Sequence, residues 1–502
     1  MFDQLLHALP VVFHPANFAA MVGGTALGIA IGALPGLSAT MGIAVLIPLT
    51  FGLDPLVGLG MMAGIYNGAM YGGAIPAVLL RIPGTPASIV TTFDGYPMAQ
   101  RGEAGRALQI AVVSSAIGGM VSAIVLMTLA PPLARVTLAF GPAEYFWVGV
   151  FGLSAIAVFV GKNPIKGIIS GCIGLLIGCV GIDTITGAQR FTFGNVNLFD
   201  GFNIVVLLTG LYAVPPALAM AEEAVKTGIS RAKLKVKSEH GMFDDWRRLW
   251  KVWARSSFIG VLVGLLPGAG GNIAAFLSYN ETKRASPDPD AFGQGAPEGV
   301  AAGECGNNAD NSAALVPALT LGVPGSAVAA VILGGLLIHG LRPGPALFRD
   351  HPDIVYGFMI QMFFTSLLLI LIGGVIGTRV FIHVLRLPRV LLVPLIAGLT
   401  AVGVYSINNS MFDLYMMLGF GLLGYAMERL DFPLAPAVLG LILGPMAEEN
   451  MRLALLISQN GWLVFVTRPI SLGIAALTVL VLAFPIVRDS IAKRRTAHAA
   501  AS

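Results

Sequence analysis

Charge is scarce in this sequence. A soluble domain normally carries about 25% charged residues, whereas here 11% of 502 residues are charged and 56% are hydrophobic. So few charges exclude an ordinary water-exposed surface of this size, and the mean hydropathy of +0.82 points the same way. Cysteine is nearly absent: Cys172, Cys179 and Cys305 form no metal-ligand spacing. Cys172 and Cys179 share one apolar run and read as small core hydrophobes on one helical face. Enzyme signatures are also missing. The seven histidines are scattered, no H-E-x-x-H occurs, and Gly161-Lys162 is followed by Asn163 rather than by Ser or Thr. With no nucleotide loop, uphill movement of a solute would need an ion gradient or an outside partner. No cofactor is expected. The formal charge of +4 is too small to suggest nucleic acid. Met1–Pro10 holds no Lys or Arg, so the first apolar run is expected to stay in the protein rather than be cleaved as a signal.

Long apolar runs are what the sequence has instead. Leu108–Ala130, Val148–Val160, Ile165–Gly181, Phe364–Ile376 and Leu472–Val487 follow one another. A spanning helix needs about 20 mostly apolar residues, which gives roughly ten to fourteen transmembrane or re-entrant candidates. The fold class expected is an all-α polytopic membrane protein. Its 63 glycines and 31 prolines suit membrane helices, where backbones approach closely and neighbours re-satisfy Pro breaks.

An internal repeat divides the chain. Gly32-Ala-Leu-Pro-Gly36 returns as Gly264-Leu-Leu-Pro-Gly268, and Gly64-Ile-Tyr-Asn67 is echoed by Gly303-Glu-Cys-Gly-Asn307-Asn308. Ile75-Pro76 and Ile82-Pro83-Gly84-Thr85 are echoed by Val316-Pro317 and Val323-Pro324-Gly325-Ser326, and Arg101 by Arg342. The expected organisation is a first membrane repeat over 1–221, a basic linker over 222–256, a second, inverted repeat over 257–487, and a basic tail over 488–502. Lys233, Lys235, Lys237, Arg247, Arg248, Lys251 and Arg255 in the linker, and Arg488 and Lys493–Arg495 in the tail, should face the cytoplasm. Docking of a partner or an anionic lipid is a second use for such clusters.

The repeated Pro-Gly pairs predict broken helices. Val22–Leu34 and Met41–Phe51 are each too short to span, and Pro35, Gly36, Ser38 and Thr40 lie between them. Gly268, Gly270, Gly271 and Asn272 occupy the equivalent place. Free amides at membrane depth are tolerated only inside protein or beside a wet cavity, and helix N-termini attract anions. Paired discontinuous helices therefore point to a transporter site near the midplane, with Pro kinks in long helices as the structural alternative. Amides and a carboxylate in apolar surroundings should face a cavity, an ion or each other. Asn67 is one such residue. Asn307, Asn308, Asp310 and Asn311 are others, and they read either as oxygen ligands for Na⁺ or as a polar helix-start loop with an N-cap. Arg81 interrupts an apolar run just before Pro83-Gly84-Thr85-Pro86. It can pair with a substrate carboxylate, snorkel, or pair with a protein carboxylate. Asp94 and Glu103 fall in a polar stretch, Thr91–Arg106, that reads as an exposed loop without chemistry.

At Gly64-Ile-Tyr-Asn-Gly-Ala-Met-Tyr-Gly-Gly73, Ile82-Pro-Gly-Thr-Pro86 and Phe93-Asp-Gly-Tyr-Pro-Met98, the chain resembles the TctA family, the large membrane subunits of tripartite tricarboxylate transporters. The resemblance runs from about Phe18 to about Ile486. It implies a secondary transporter in a bacterial inner membrane, importing a small carboxylate such as citrate by symport with Na⁺ or H⁺. The partners it implies are a small four-helix membrane subunit and a periplasmic substrate-binding protein, and it suggests an elevator-like movement. By motif, the implied substrate region is Pro35–Thr40, Asn67, Pro83–Pro86, Pro267–Asn272, Asn307–Asn311 and Pro324–Ser326. Family members often carry Asn where this chain has Arg81, which leaves the preferred anion open. The rival reading is a membrane anchor or assembly subunit that transports nothing.

Overall fold

A computed structural model describes residues 2–34, 36–159, 163–183, 186–227, 241, 244–377, 389–458 and 461–483. Pro35, the linker lysines Lys233, Lys235 and Lys237, and the basic tail lie outside the described residues. Among the described residues the chain is predominantly helical, with one two-residue antiparallel pairing of Gly181–Ile182 with Gln189–Arg190. Among the described residues, four helical stretches are long and apolar enough to cross a membrane: Pro15–Ala33, Ala104–Ala139, Ile204–Glu222 and Pro352–Val375. A fifth is added if Gly461–Thr467 and Pro469–Ala483, bent by 79°, count as one span. Shorter apolar helices include Ala39–Thr50 and Ala327–Ile338. This is a multi-pass membrane protein.

The chain forms two compact units. The larger takes in Met1–Ala134, Ile204–Thr320 and Pro324–Tyr425. Its first part runs through α1 (Phe2–Val12), α2 (Pro15–Ala33), α3 (Ala39–Thr50), α4 (Pro55–Gly72), α5 (Ala74–Leu80), α6 (Ile89–Gln100) and α7, which begins at Ala104 and ends at Val136. Glycine spacing explains the tightest pair. Gly24, Gly28 and Gly32 of α2 lie against the Met61, Ile65 and Ala69 backbone of α4, and Gly64, Gly68 and Gly72 return the contact. Small residues every fourth position let membrane helices pack backbone to backbone.

The α2 helix ends at Ala33. Gly36 then takes φ +94°, and the Ser38 hydroxyl caps α3 by accepting from the Met41 N–H at 3.2 Å. Positive φ is cheap only for glycine, and Ser satisfies an N–H that has no partner inside the helix.

The same unit continues, after α8 (Pro142–Phe159) and α9 (Pro164–Gly178) of the second unit, with α10 (Ile204–Thr227), α11 (Trp246–Gly264), α12 (Gly270–Arg284), α13 (Pro297–Ala313), α14 (Leu315–Leu321), α15 (Ala327–Ile338), α16 (Pro345–Asp350) and α17 (Pro352–Leu368). Here Gly260 and Gly264 bring α11 onto the Gly306 and Asp310 backbone of α13. Gly268, between α11 and α12, has φ +81°. Two backbone bonds take matching places: Gly84 N–H donates to the Gly73 carbonyl at 3.2 Å, and Gly325 N–H to the Ala314 carbonyl at 3.0 Å. A Cβ on Gly84 would strike the Gly32 carbonyl oxygen, and one on Gly325 would strike that of Gly264.

Within the smaller unit, the helix Leu434–Ile457 packs on α8 and α9, with Gly174 against the Ala437 backbone. Asp183, Arg190, Glu448 and Arg452 close a ring of ion pairs, each acid touching both arginines between 2.5 and 3.5 Å. Arg468 pairs with the buried Glu144 at 3.0 Å. Cys172 is exposed and Cys179 half-buried, contrary to the core role expected. Their helical face turns away from the packed side of α9, where Ser170 and Gly174 lie.

Candidate transport site

The polar run on α13 is helix, not a helix-start loop. Asn307, Asn308, Asp310, Asn311 and Ser312 all lie inside Pro297–Ala313 and are buried. A seventeen-residue helix this polar survives in the interior because its side chains meet one another and their neighbours. The Asn311 amide donates to the Asn67 side-chain oxygen at 2.9 Å and to that of Asn308 at 3.3 Å. The Asn67 amide in turn donates to Thr365 Oγ1 at 2.9 Å, Ser366 Oγ at 3.0 Å and the Met362 carbonyl at 3.1 Å on α17. Asn67 is thus saturated by protein, and its place is that of a junction between α4, α13 and α17.

Open coordination lies one helical face away. Both oxygens of Asp310, both polar atoms of Asn307, the Asn311 Oδ1 and the Ser312 hydroxyl have no hydrogen-bond partner. The Gly271 N–H, at the start of α12, points toward Asp310 without closing a bond of good geometry. A Cβ on Gly271 would strike the Asn307 side-chain oxygen, so the α12 N-terminus and the α13 amides press together. Tyr66 lies within electrostatic reach of Asp310, and its hydroxyl is 3.3 Å from the Ser326 hydroxyl. Ser326 also caps α15 by accepting from the Ala329 N–H at 3.2 Å. A buried carboxylate with no counter-charge costs several kcal/mol, on the order of the penalty that a bound cation relieves. Chemically, the cluster offers carboxylate, amide and hydroxyl oxygens to a small hard cation, and helix-start amides beside them to an anion.

Other expected site residues fall elsewhere. Gly84 and Thr85 are buried, and the Thr85 hydroxyl is also unpartnered. Gly325 is buried, as is Gly268, whose N–H donates to the Gly325 carbonyl at 2.9 Å. Gly36 is exposed, Ser38 and Thr40 are half-buried, and Gly270, with φ +68°, is half-buried at the start of α12. Asn272 is exposed, as is Arg81, whose guanidinium lies 5.8 Å from the centre of the Tyr96 ring. Arg81 ends α5 at φ +58°, a left-handed conformation.

The sequence reading missed one acid and misjudged another. Glu304, on α13, is buried, and its carboxylate accepts from the Thr91 hydroxyl and from Ser115 Oγ at 2.9 Å. The signal was available: Glu304 is the one charge between Glu298 and Asp310, set among small residues. Asp94 does not sit in an exposed loop. It lies on α6, fully buried, and one oxygen accepts from the backbone N–H groups of Gly293, Gly295 and Ala296, each at 2.8 Å. The Tyr279 hydroxyl donates to its other oxygen at 2.9 Å. The loop before α13 needs those donors satisfied, so Asp94 must turn inward. Glu103 forms an ion pair with Arg106 at 2.9 Å, and Arg106 also reaches Asp245 at 2.6 Å.

The chain is 38% identical over 481 residues to an uncharacterized 52.8 kDa protein in the TAR-I ttuC' 3' region of Agrobacterium vitis, covering 95% of each. It is 39% identical over 234 residues to an uncharacterized protein in the TAR-II ttuC' 3' region of the same organism, covering 46% of this chain and 96% of that one. No solved structure matches. The family model for the tripartite tricarboxylate transporter TctA family matches residues 18–439, and the chain belongs to that family.

Proposed function

We propose that this protein is the large permease subunit of a tripartite secondary transporter, importing a small carboxylate across a bacterial inner membrane by symport. A periplasmic binding protein delivers the substrate, and a small four-helix membrane subunit completes the assembly. Membership of the family supports the assignment. The two halves act as inverted copies, together supplying ten to fourteen spanning or re-entrant segments. The matched bonds of Gly84 and Gly325, and the positive φ of Gly36 and Gly268, support that reading. The linker over 222–256 and the tail over 488–502 face the cytoplasm, as their positive charge favours.

The observation that carries the mechanism is the unpartnered carboxylate of Asp310. Asp310, Asn307, Asn308 and Asn311 form the cation site, and their oxygens favour Na⁺ over a bare proton as the coupling ion. The substrate carboxylate sits against the helix starts after Gly36 and Gly268 and at Thr85 and Ser326, with its charge offset by the nearby cation. Binding each ion makes the other's site more favourable, which is the thermodynamic content of symport.

The test is uptake of citrate and dicarboxylates into proteoliposomes holding this chain and its small partner, with the binding protein outside. Uptake that needs both the binding protein and an inward Na⁺ gradient supports the proposal. Uptake driven by a pH gradient alone assigns the proton instead. No uptake of any carboxylate by folded protein would favour the anchor or assembly role.

A further inference from the structure

The α11 helix carries two adjacent rows that the transport site does not use. Trp246, Trp250, Phe258 and Leu262 form an exposed apolar row at helical spacing. One position further on, Arg247, Lys251 and Arg255 form a basic row along the first turns. Arg247 lies 5.6 Å from the Trp246 ring centre, and Lys251 the same distance from that of Trp250. Among the described residues no carboxylate pairs with any of these three cations, whereas their neighbour Arg248 is paired with Glu298.

Alongside the basic row, α11 and α7 border a groove of about 380 Å³. Ile117, Val121 and Val125 form one wall, and Trp250, Phe258 and Val261 the other. The polar groups along it are turned away: the Ser257 hydroxyl meets the Cys305 sulfur at 3.2 Å, and the Trp253 indole donates to Ser114 at 2.8 Å. The surface therefore sets cations that no described carboxylate pairs, with tryptophans among them, beside a largely apolar groove that runs on past Arg255 to Val261.

We propose that this groove binds an anionic phospholipid, one acyl chain lying between α7 and α11 and the phosphate resting on Arg247, Lys251 and Arg255. A head-and-tail surface matches a single amphiphile. Tryptophan at the junction suits the depth where headgroup meets hydrocarbon. Unpaired basic side chains attract anionic lipid, and their attraction falls as salt screens it. The consequence reaches the transport site mechanically, because α11 also packs through Gly260 and Gly264 onto the Gly306 and Asp310 backbone. A lipid that holds α11 down supports one wall of the Asp310 cluster.

The experiment compares thermal unfolding of the delipidated full chain as phosphatidylglycerol or phosphatidylcholine with the same acyl chains is added back. Phosphatidylglycerol should raise the midpoint by several degrees more than phosphatidylcholine, and raised salt should erase the difference. The combined Arg247→Gln, Lys251→Gln and Arg255→Gln variant should respond to both lipids alike. Val121→Trp, which fills the groove, should lose most of both responses. Equal shifts from the two lipids in the unsubstituted protein would overturn the proposal, as would an intact phosphatidylglycerol preference in the triple variant. A third outcome would assign the groove to another occupant and also overturn it: protection of a Val121→Cys thiol from labelling only when the small membrane subunit is present. The salt titration uses unmodified protein, so the answer does not depend on the variants folding.

Discussion

Asn67 and Asn311 meet side chain to side chain at 2.9 Å, one from each half of the chain and both fully buried. Neither is satisfied by its own helix alone. Together they fix α4 against α13, and through Thr365 and Ser366 they fix α17 as well.

Coupling between the two asparagines should be measurable. Single substitutions Asn67→Ala and Asn311→Ala each leave a buried partner unpaired, at a cost of about 1–3 kcal/mol. The double variant should lose less than the sum, with a coupling near 0.6 kcal/mol, roughly the average for membrane-buried side-chain bonds. Unfolding in mixed micelles provides the four stabilities, and strict additivity would mean that the pair does not interact.

Asp310 and Glu304 should separate by function. Asp310→Asn is isosteric and removes the charge whose oxygens lack partners. It should abolish Na⁺-dependent uptake while leaving the protein folded. Glu304→Gln keeps its size but loses the charge that Thr91 and Ser115 hold. It should cost stability, on the order of 1–3 kcal/mol. Full Na⁺-driven uptake by the Asp310 variant would remove that residue from the ion site.

Close approach at two glycines makes alanine costly. Gly84→Ala and Gly325→Ala would each push a methyl group into a backbone carbonyl, of Gly32 and Gly264 respectively. Overpacking typically costs about 1–3 kcal/mol, and a backbone obstacle cannot rotate away. Both variants should express poorly or unfold earlier by several degrees. Wild-type stability in either would show that the helix ends yield easily.

Arg81 offers the opposite case. Its φ of +58° strains a residue that carries a Cβ, and the equivalent place at the end of α14 holds Gly322 at φ +74°. Arg81→Gly and Arg81→Asn should gain up to about 1 kcal/mol from the left-handed backbone alone. Uptake by both variants decides whether the exposed guanidinium also meets the substrate: a raised KM with unchanged stability would assign it that role.

Asp94 holds the loop ahead of α13. Asp94→Ala would orphan the buried backbone N–H groups of Gly295 and Ala296, that of Gly293 at the surface, and the Tyr279 hydroxyl. The loss should be on the order of 3 kcal/mol or more. Limited proteolysis should show new cleavage near Gly293–Gly295, and an unchanged digest would contradict the anchoring role.

The sequence by itself determined the class of this protein. Scarce charge and long apolar runs require a membrane, and that follows from composition because hydrocarbon rejects ions at any position. Local chemistry also determined where helices start: Ser38 and Ser326 serve as N-caps in the structure, since a hydroxyl beside a free amide needs no distant partner. The motifs from Gly64 to Met98 were long enough to identify the family. Tertiary structure alone decided which polar residues are saturated and which are open. Asn67 and Asp310 pose the same question in sequence, each a polar side chain in a segment of a membrane protein. Asn67 finds Asn311, Thr365 and Ser366, whereas Asp310 finds no hydrogen bond. Asp94 was misread for the same reason, because its donors lie in a loop far along the chain. Whether a buried polar group is satisfied depends on what other helices bring to it, and periodicity within one helix carries no record of that.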